Sequence, residues 1–349
     1  MEHKTPSLEQ WQRLYQLAVE VKAMAPWNWM MEDDLFGVEN PDSDEMGFVS
    51  VMGAAGEHFA VTVYLGSAGL RGFMAMHEDG RQETVREIFF TIPQVQVSFE
   101  DRDLLTGEDR GVIKTLGLKF RGRNAWPWFR SYLPGYAPFY LSAAEARFLT
   151  CALEQVLIVA PRFREDLSLF YGEEDEEDDE DRGMFIRAYS ATAAGDVWTD
   201  RYQSEFSSHV TSVVVRVDNA TLDRLGSLPQ RKMIVEIDAF MLPQAVQEGK
   251  SRPKYAYPLM FVDADSGYVL GFELMHVETT LEEMWSRMPG AILDQLAQMG
   301  LKPSMIKIRP GVLQGLLEPV AKEVGIKVQS SARLPMLDEA KQAMLAFMG

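Results

Sequence analysis

A single cysteine, Cys151, stands in this chain of 349 residues. That excludes an internal disulfide and a thiolate-rich zinc site, and it fits a reducing compartment. The five histidines, at 3, 58, 77, 209 and 276, show no metal-ligand spacing. No phosphate-binding glycine loop, dinucleotide fingerprint or Gly-x-Ser-x-Gly nucleophile elbow is present. Apolar runs such as Val156–Pro161 are far shorter than the roughly 20 residues that cross a bilayer. The amphipathic segment Ser7–Lys22 does not read as a secretory signal. The expectation is a cytoplasmic protein with no membrane partner.

Positive charge is also scarce. Against 52 acids the chain sets 34 Lys and Arg, for a formal net charge of −18. Nine consecutive acids, Glu173–Asp181, supply half of that. Such a body repels phosphate backbones, so nucleic acid is admissible only through a local basic patch. A protein or peptide partner stays open.

What is present is globular: 46% hydrophobic and 11% aromatic residues. The length suits two domains. A block of like charges cannot bury itself, so the acidic run reads as a solvated linker. The sequence therefore divides into residues 1–168, an acidic linker at 169–185, and residues 186–349. A sharper reading makes the acidic run a decoy that covers a basic surface.

Domain one reads as α+β. Trp11, Leu14, Tyr15, Leu17 and Val21 recur at helical spacing, and Pro26 ends that helix. Phe48–Met52 and His58–Leu65 read as paired strands around the turn at Gly53–Gly56. Helical stretches near 67–76 and 81–89, the strand Gln94–Glu100 and a long helix over Ser142–Val159 follow. Cys151 lies in that last helix, where a buried structural thiol is expected.

Two dense segments in this domain bear on function. Lys119–Tyr140 interleaves Lys119, Arg121, Arg123 and Arg130 with Trp126, Trp128, Phe129, Tyr132 and Tyr136. Cations beside stacking planes suit single-stranded nucleic acid or a peptide. Arg121, Arg123, Trp126, Trp128 and Arg130 are the binding candidates. The alternative is an irregular loop pinned to the core by its aromatics, since its prolines and glycines oppose long regular structure. The other segment, Pro26–Val38, holds Glu32, Asp33 and Asp34, with Asp42, Asp44 and Glu45 nearby. These acids lack the ligand register of a calcium loop and read as solvated.

Domain two reads as α/β with a mixed sheet. Arg231–Met241, Tyr257–Asp263 and Tyr268–His276 form three strands, the last two joined at Asp265-Ser266-Gly267. A helix, the strand Met305–Ile308, a second helix, the strand Ile326–Gln329 and the helix Leu337–Phe347 follow. Pro289 should kink or split the first of those helices. His276 reads as a surface residue rather than a base.

This βββαβαβα order resembles the ribonuclease-H-like fold of integrases and transposases. The resemblance implies acids on the first strand, after the fourth, and on a late helix, clustered to hold two divalent metals. Asp238 matches the first position, and Asp338 and Glu339 are available for the last. After the fourth strand the chain has Arg309 instead. A guanidinium there repels divalent metal and pairs with a carboxylate, so Asp238 and Arg309 are expected to form a structural ion pair. The competing expectation is a divergent metal-dependent nuclease or phosphotransfer enzyme, using Mg or Mn on Asp238 with Glu236, Asp263 or Glu339.

Taken whole, the chain resembles an uncharacterised bacterial family pairing two domains of unknown function. The resemblance runs through WQRLYQLAVEVKAMAPWNWM, VSVMGAAGEHFAVTVYLG, IKTLGLKFRGRNAWPWFRSYLPGY and EARFLTCALEQ. It implies domain pairing and no particular chemistry. With the vacancy at Arg309, the leading expectation is a non-catalytic binding or interaction protein without metal or cofactor.

Overall fold

A computed structural model describes residues 4–78, 91–171, 183–193, 195–206 and 213–348. The acidic run and the helix expected near 81–89 lie outside the described residues. Two compact units are present: residues 1–134 with 138–209, and residues 135–137 with 210–349.

In the first unit, α1 (Leu8–Met24) begins at a capping box of Ser7 and Gln10 and ends at Ala25, immediately before Pro26. Strands β1 (Phe36–Glu39), β2 (Met46–Met52) and β3 (Ala60–Leu65) follow, then α2 (Gly66–Glu78) and β4 (Gln94–Glu100). Next come α3 (Gly107–Thr115), β5 (Trp126–Tyr132), α4 (Ala143–Glu165) and the hairpin β6 (Met184–Thr192) and β7 (Gly195–Gln203). The sheet order is β5-β4-β3-β2-β1-β6-β7. All neighbours are antiparallel except β1 with β6, so the sheet is mixed.

Strand alternation explains which residues go where. Val95, Val97 and Phe99 of β4 join the main core with Leu14, Leu17 and Val21 of α1 and Leu149, Leu153 and Val156 of α4. Gln94, Gln96 and Ser98, on the other face, are buried as well. Burial of an amide requires partners. Gln96 has them: its Nε2 donates to Thr62 Oγ1 at 2.9 Å, and Tyr132 OH donates to its Oε1 at 3.0 Å. On that same face α2 packs Leu70 and Phe73 against Phe48, Tyr64 and Ile92.

Two features differ from the sequence reading. The domain boundary expected between 168 and 186 is crossed by the sheet, because Met184–Thr192 returns to pair with β1. Gly37 permits that approach: a Cβ there would stand 2.2 Å from Ile186 Cδ1. A run of like charges in the sequence need not divide domains. The other difference is β5, where part of the 119–140 segment forms regular structure. Pro127 is tolerated because β5 is an edge strand, so its missing N–H costs no central ladder bond.

The second unit contains α5 (Asn219–Ser227), β8 (Gln230–Ala239), the two-residue β9 (Ala245–Val246), β10 (Lys254–Asp263) and β11 (Val269–His276). Then follow α6 (Leu281–Gln298), β12 (Lys302–Ile308), α7 (Val312–Glu323), β13 (Lys327–Ser330) and α8 (Pro335–Met348). The strand order is β11-β10-β8-β12-β13, with β9 on β10. β8, β10 and β11 are antiparallel, whereas β8, β12 and β13 are parallel. The α6 helix is continuous through Pro289, so the expected split does not occur. Helix α8 lays Leu337 over Phe240, Ala256, Met260 and Val262.

Candidate functional site

On β8 the even positions Glu236 and Asp238 stand opposite Val262 and Met260 of β10. Those two apolar residues are covered by α8, so both carboxylates point beneath that helix and are buried. Buried carboxylates need donors. Glu236 Oε2 accepts the backbone N–H of Leu337 at 2.9 Å. Asp238 Oδ2 accepts Arg309 Nε at 2.8 Å, and its Oδ1 accepts the N–H of Ala239 at 3.0 Å.

Arg309 follows directly on β12, whose parallel pairing with β8 aligns Ile308 with Ile237. This register brings the guanidinium to Asp238. Its Nη2 donates to Asp338 Oδ1 in the first turn of α8, and its Nη1 donates to the Ala332 carbonyl at 2.9 Å. One side chain therefore ties together β8, β12, the loop after β13 and α8. Burial pushes the Asp238 carboxyl above its ordinary range, although Arg309 and Lys341 pull it down. Burial opposes the charge on Arg309, but bonding to Asp238 and the field of both carboxylates outweigh it and raise its pKa.

The remaining acids do not converge on Asp238. Glu236 is spent on the helix cap. Asp263 takes the Ser266 hydroxyl at 2.6 Å and the Asp265 N–H at 3.2 Å in the β10–β11 turn. Glu339 is exposed. Among the described residues no group of three or more His, Cys, Asp or Glu side chains is arranged to hold a metal. The donor set around Arg309 does not fit Mg or Mn, because a permanent cation already bonds Asp238 and Asp338.

The five binding candidates of the first unit separate. Arg121 and Arg123 are exposed, in the segment before β5. Trp126 is half-buried, edge-on to Phe120 at 5.7 Å, with the Arg102 guanidinium 5.9 Å from its ring centroid. Trp128 is half-buried beneath Arg130.

Arg130 is a correction. It is only 4% exposed and bonds Asp109 in a two-pronged fork, at 2.9 and 2.7 Å. The Phe129 carbonyl accepts a further bond at 2.7 Å. Its guanidinium lies 4.1 Å from the Trp128 ring centroid and 4.9 Å from that of Tyr140. This cation is consumed internally and offers no ligand a free face.

Sequence reasoning missed Asp109. It forms a capping box with Thr106 at the start of α3. The Thr-x-x-Asp spacing was the available signal. The Asp109 carboxyl is opposed by burial but held below its ordinary value by Arg130 and Thr106.

A cleft of about 970 Å³ also lies in this unit. The β1–β2 turn carries Asp42, Asp44 and Glu45 into its wall, facing Gly66–Ala68, Tyr189 and Arg201. Two of its acids are paired: Glu39 with Arg201, and Asp42 with Arg147. Asp42, Asp44 and Glu45 are all exposed, in keeping with the expected solvated loop.

Residues 11–186 match the family described as Domain of unknown function (DUF7309). The chain belongs to this family. Residues 221–345 match a second, Domain of unknown function (DUF6930), so two domains of unknown function cover most of the chain. No curated protein matches it. Among the described residues no helix is long and apolar enough to cross a membrane.

Proposed function

We propose that this member of the family is a non-catalytic binding protein. Its second domain would be a ribonuclease-H-like architecture whose metal position has been given to a guanidinium. Numbered within that unit, leaving out the short β9, the strand order 3-2-1-4-5 supports the architecture: three antiparallel strands, then two parallel ones. The observation that carries the functional reading is Arg309 bonded at once to Asp238 and Asp338. Two-metal chemistry needs those oxygens free, and a fixed positive charge between them repels a divalent ion.

Binding is assigned to the exposed Arg121 and Arg123 before β5, with the half-buried Trp126 and Trp128 of β5 beside them. These two local cations would attract an anionic protein segment that stacks on the indole, while the net negative charge of the chain disfavours a long polyanion. Calorimetric titration of Mn²⁺ is the test of the first part. Equal responses from the wild-type protein and Asp238→Asn support the reading; metal binding that Asp238→Asn abolishes sinks it. For the second part, a dye-labelled peptide of alternating glutamate and tyrosine is the probe. Its affinity should drop on replacing Arg121 and Arg123 by alanine, while a thymidine oligonucleotide should bind weakly to both forms. Tight oligonucleotide capture would make nucleic acid the ligand.

A further inference from the structure

Strand β11 ends the second sheet and, among the described residues, pairs only with β10. Along Gly271–His276 its free edge carries one acid, Glu273, but no lysine and no proline, and among the described residues no strand covers it. A bulge interrupts pairing between Phe261 and Val262, so the regular part of the strand is the stretch Gly271–His276. Val269 and Phe272 stand opposite Val262 and Met260, on the face where α8 packs against β10 and β8. Beyond that helix the surface is apolar and open. Phe272 is 62% exposed, Leu274 47% and Val269 40%, with Tyr268 more exposed still. An unpaired edge beside an apolar row is the arrangement by which sheets accept an extended peptide.

The charges around the strand say which peptide. Asp265 is exposed in the turn before β11, Glu273 lies on the strand, and Glu278 is exposed two residues after it. One cation at that end, Arg287, is engaged by Glu283 and Glu278 and by the His276 carbonyl. Each end of the free edge therefore carries an exposed acid. A second copy laid antiparallel would bring the Asp265 end of one strand beside the Glu278 end of the other, acid against acid. A strand with basic ends meets an acid at each end instead.

We infer that β11 is a docking edge for an extended segment of a partner protein, apolar on alternate residues and flanked by lysine or arginine. The partner adds a strand beside Gly271–His276, and its apolar side chains cover Phe272 and Leu274. This surface is separate from the rim before β5 and does not depend on the fate of Asp238.

The experiment uses the full chain and three dye-labelled peptides: alternating valine and threonine with lysine ends, the same strand with glutamate ends, and the lysine form with central prolines. Fluorescence anisotropy should show saturable binding of the first alone. Phe272→Ser with Leu274→Ser should weaken it about tenfold or more, with the circular dichroism spectrum unchanged. Equal binding of the proline form would overturn backbone pairing, and equal binding of the glutamate form would overturn the charge assignment. If the double variant loses its fold, the three peptides on the wild-type protein still decide. No binding of the lysine-ended peptide refutes the docking edge. A wild-type dimer in sedimentation that the double variant converts to monomer refutes it too, by making a second copy the occupant.

Discussion

The carboxylate of Glu236, in the middle of a strand, accepts the backbone N–H of Leu337 in the first turn of the last helix. Both residues are buried, so this bond adds an internal tie to the packing of Leu337 and the Arg309–Asp338 pair that hold the helix on the sheet. A negative charge at a helix N-terminus also meets the positive end of the helix dipole. Glu236→Ala should lower unfolding stability by about 1–3 kcal/mol, the penalty for leaving a buried polar group unpaired. Glu236→Gln keeps an acceptor oxygen and should lose less. Urea denaturation of the two variants checks the order.

Arg309 and Asp238 lead to a cycle rather than a single variant. Arg309→Met leaves a buried carboxylate without its cation, a change that costs about 3–5 kcal/mol in buried pairs. The Arg309 side chain is 33% exposed, so the lower end applies. Adding Asp238→Asn should recover part of the loss, because the uncompensated charge is gone. If the double variant is as unstable as the sum of the two singles, the pair is not coupled.

Acid sensitivity should trace to Asp109. Its folded-state pKa lies below the ordinary 3.8, so its contribution to stability is fully present above that value. The contribution is lost as pH falls through the depressed folded value. Asp200, bonded to Arg162 and Arg187, is shifted in the same direction. Asp109→Asn should therefore flatten the decline of stability below 3.8 while lowering stability at neutral pH. Denaturation curves at a series of acidic pH values measure both effects.

Arg130 and its neighbours Arg121 and Arg123 should behave oppositely. Arg130→Ala strands Asp109 and removes a stacked plane between two rings, for a loss of about 3–5 kcal/mol. Arg130→Lys should recover little, since an ammonium cannot make the fork. Arg121→Ala and Arg123→Ala should change stability by no more than about 0.5 kcal/mol, as exposed substitutions do. Thermal melts of the four variants distinguish buried structural cation from exposed rim.

Much of the second unit was legible because its strands are short apolar runs separated by clear turn and helix signals. Asp263-Ala-Asp265-Ser266-Gly267 marks the turn that the structure builds, with Gly267 at φ +70. The first unit was less legible. Hairpin β6–β7 is largely exposed along its second strand and lacks an apolar pattern. Trp126–Tyr132 looks like a loop because Pro127 and the flanking glycines dominate a short window. Only the neighbouring β4 shows that the strand has a place at the sheet edge.

By itself the sequence determined the order of the main elements after residue 230, the buried face of the first helix, and the absence of an acid at position 309. Those follow from periodicity and residue identity, which are local. Tertiary structure alone decided that Arg130 is spent on Asp109, that Arg309 reaches Asp338 as well as Asp238, and that Met184–Gln203 belongs to the first sheet. Each depends on residues far apart in the chain, brought together by strand pairing and burial. A charge read along the sequence is only a candidate; its partner is set by the packing.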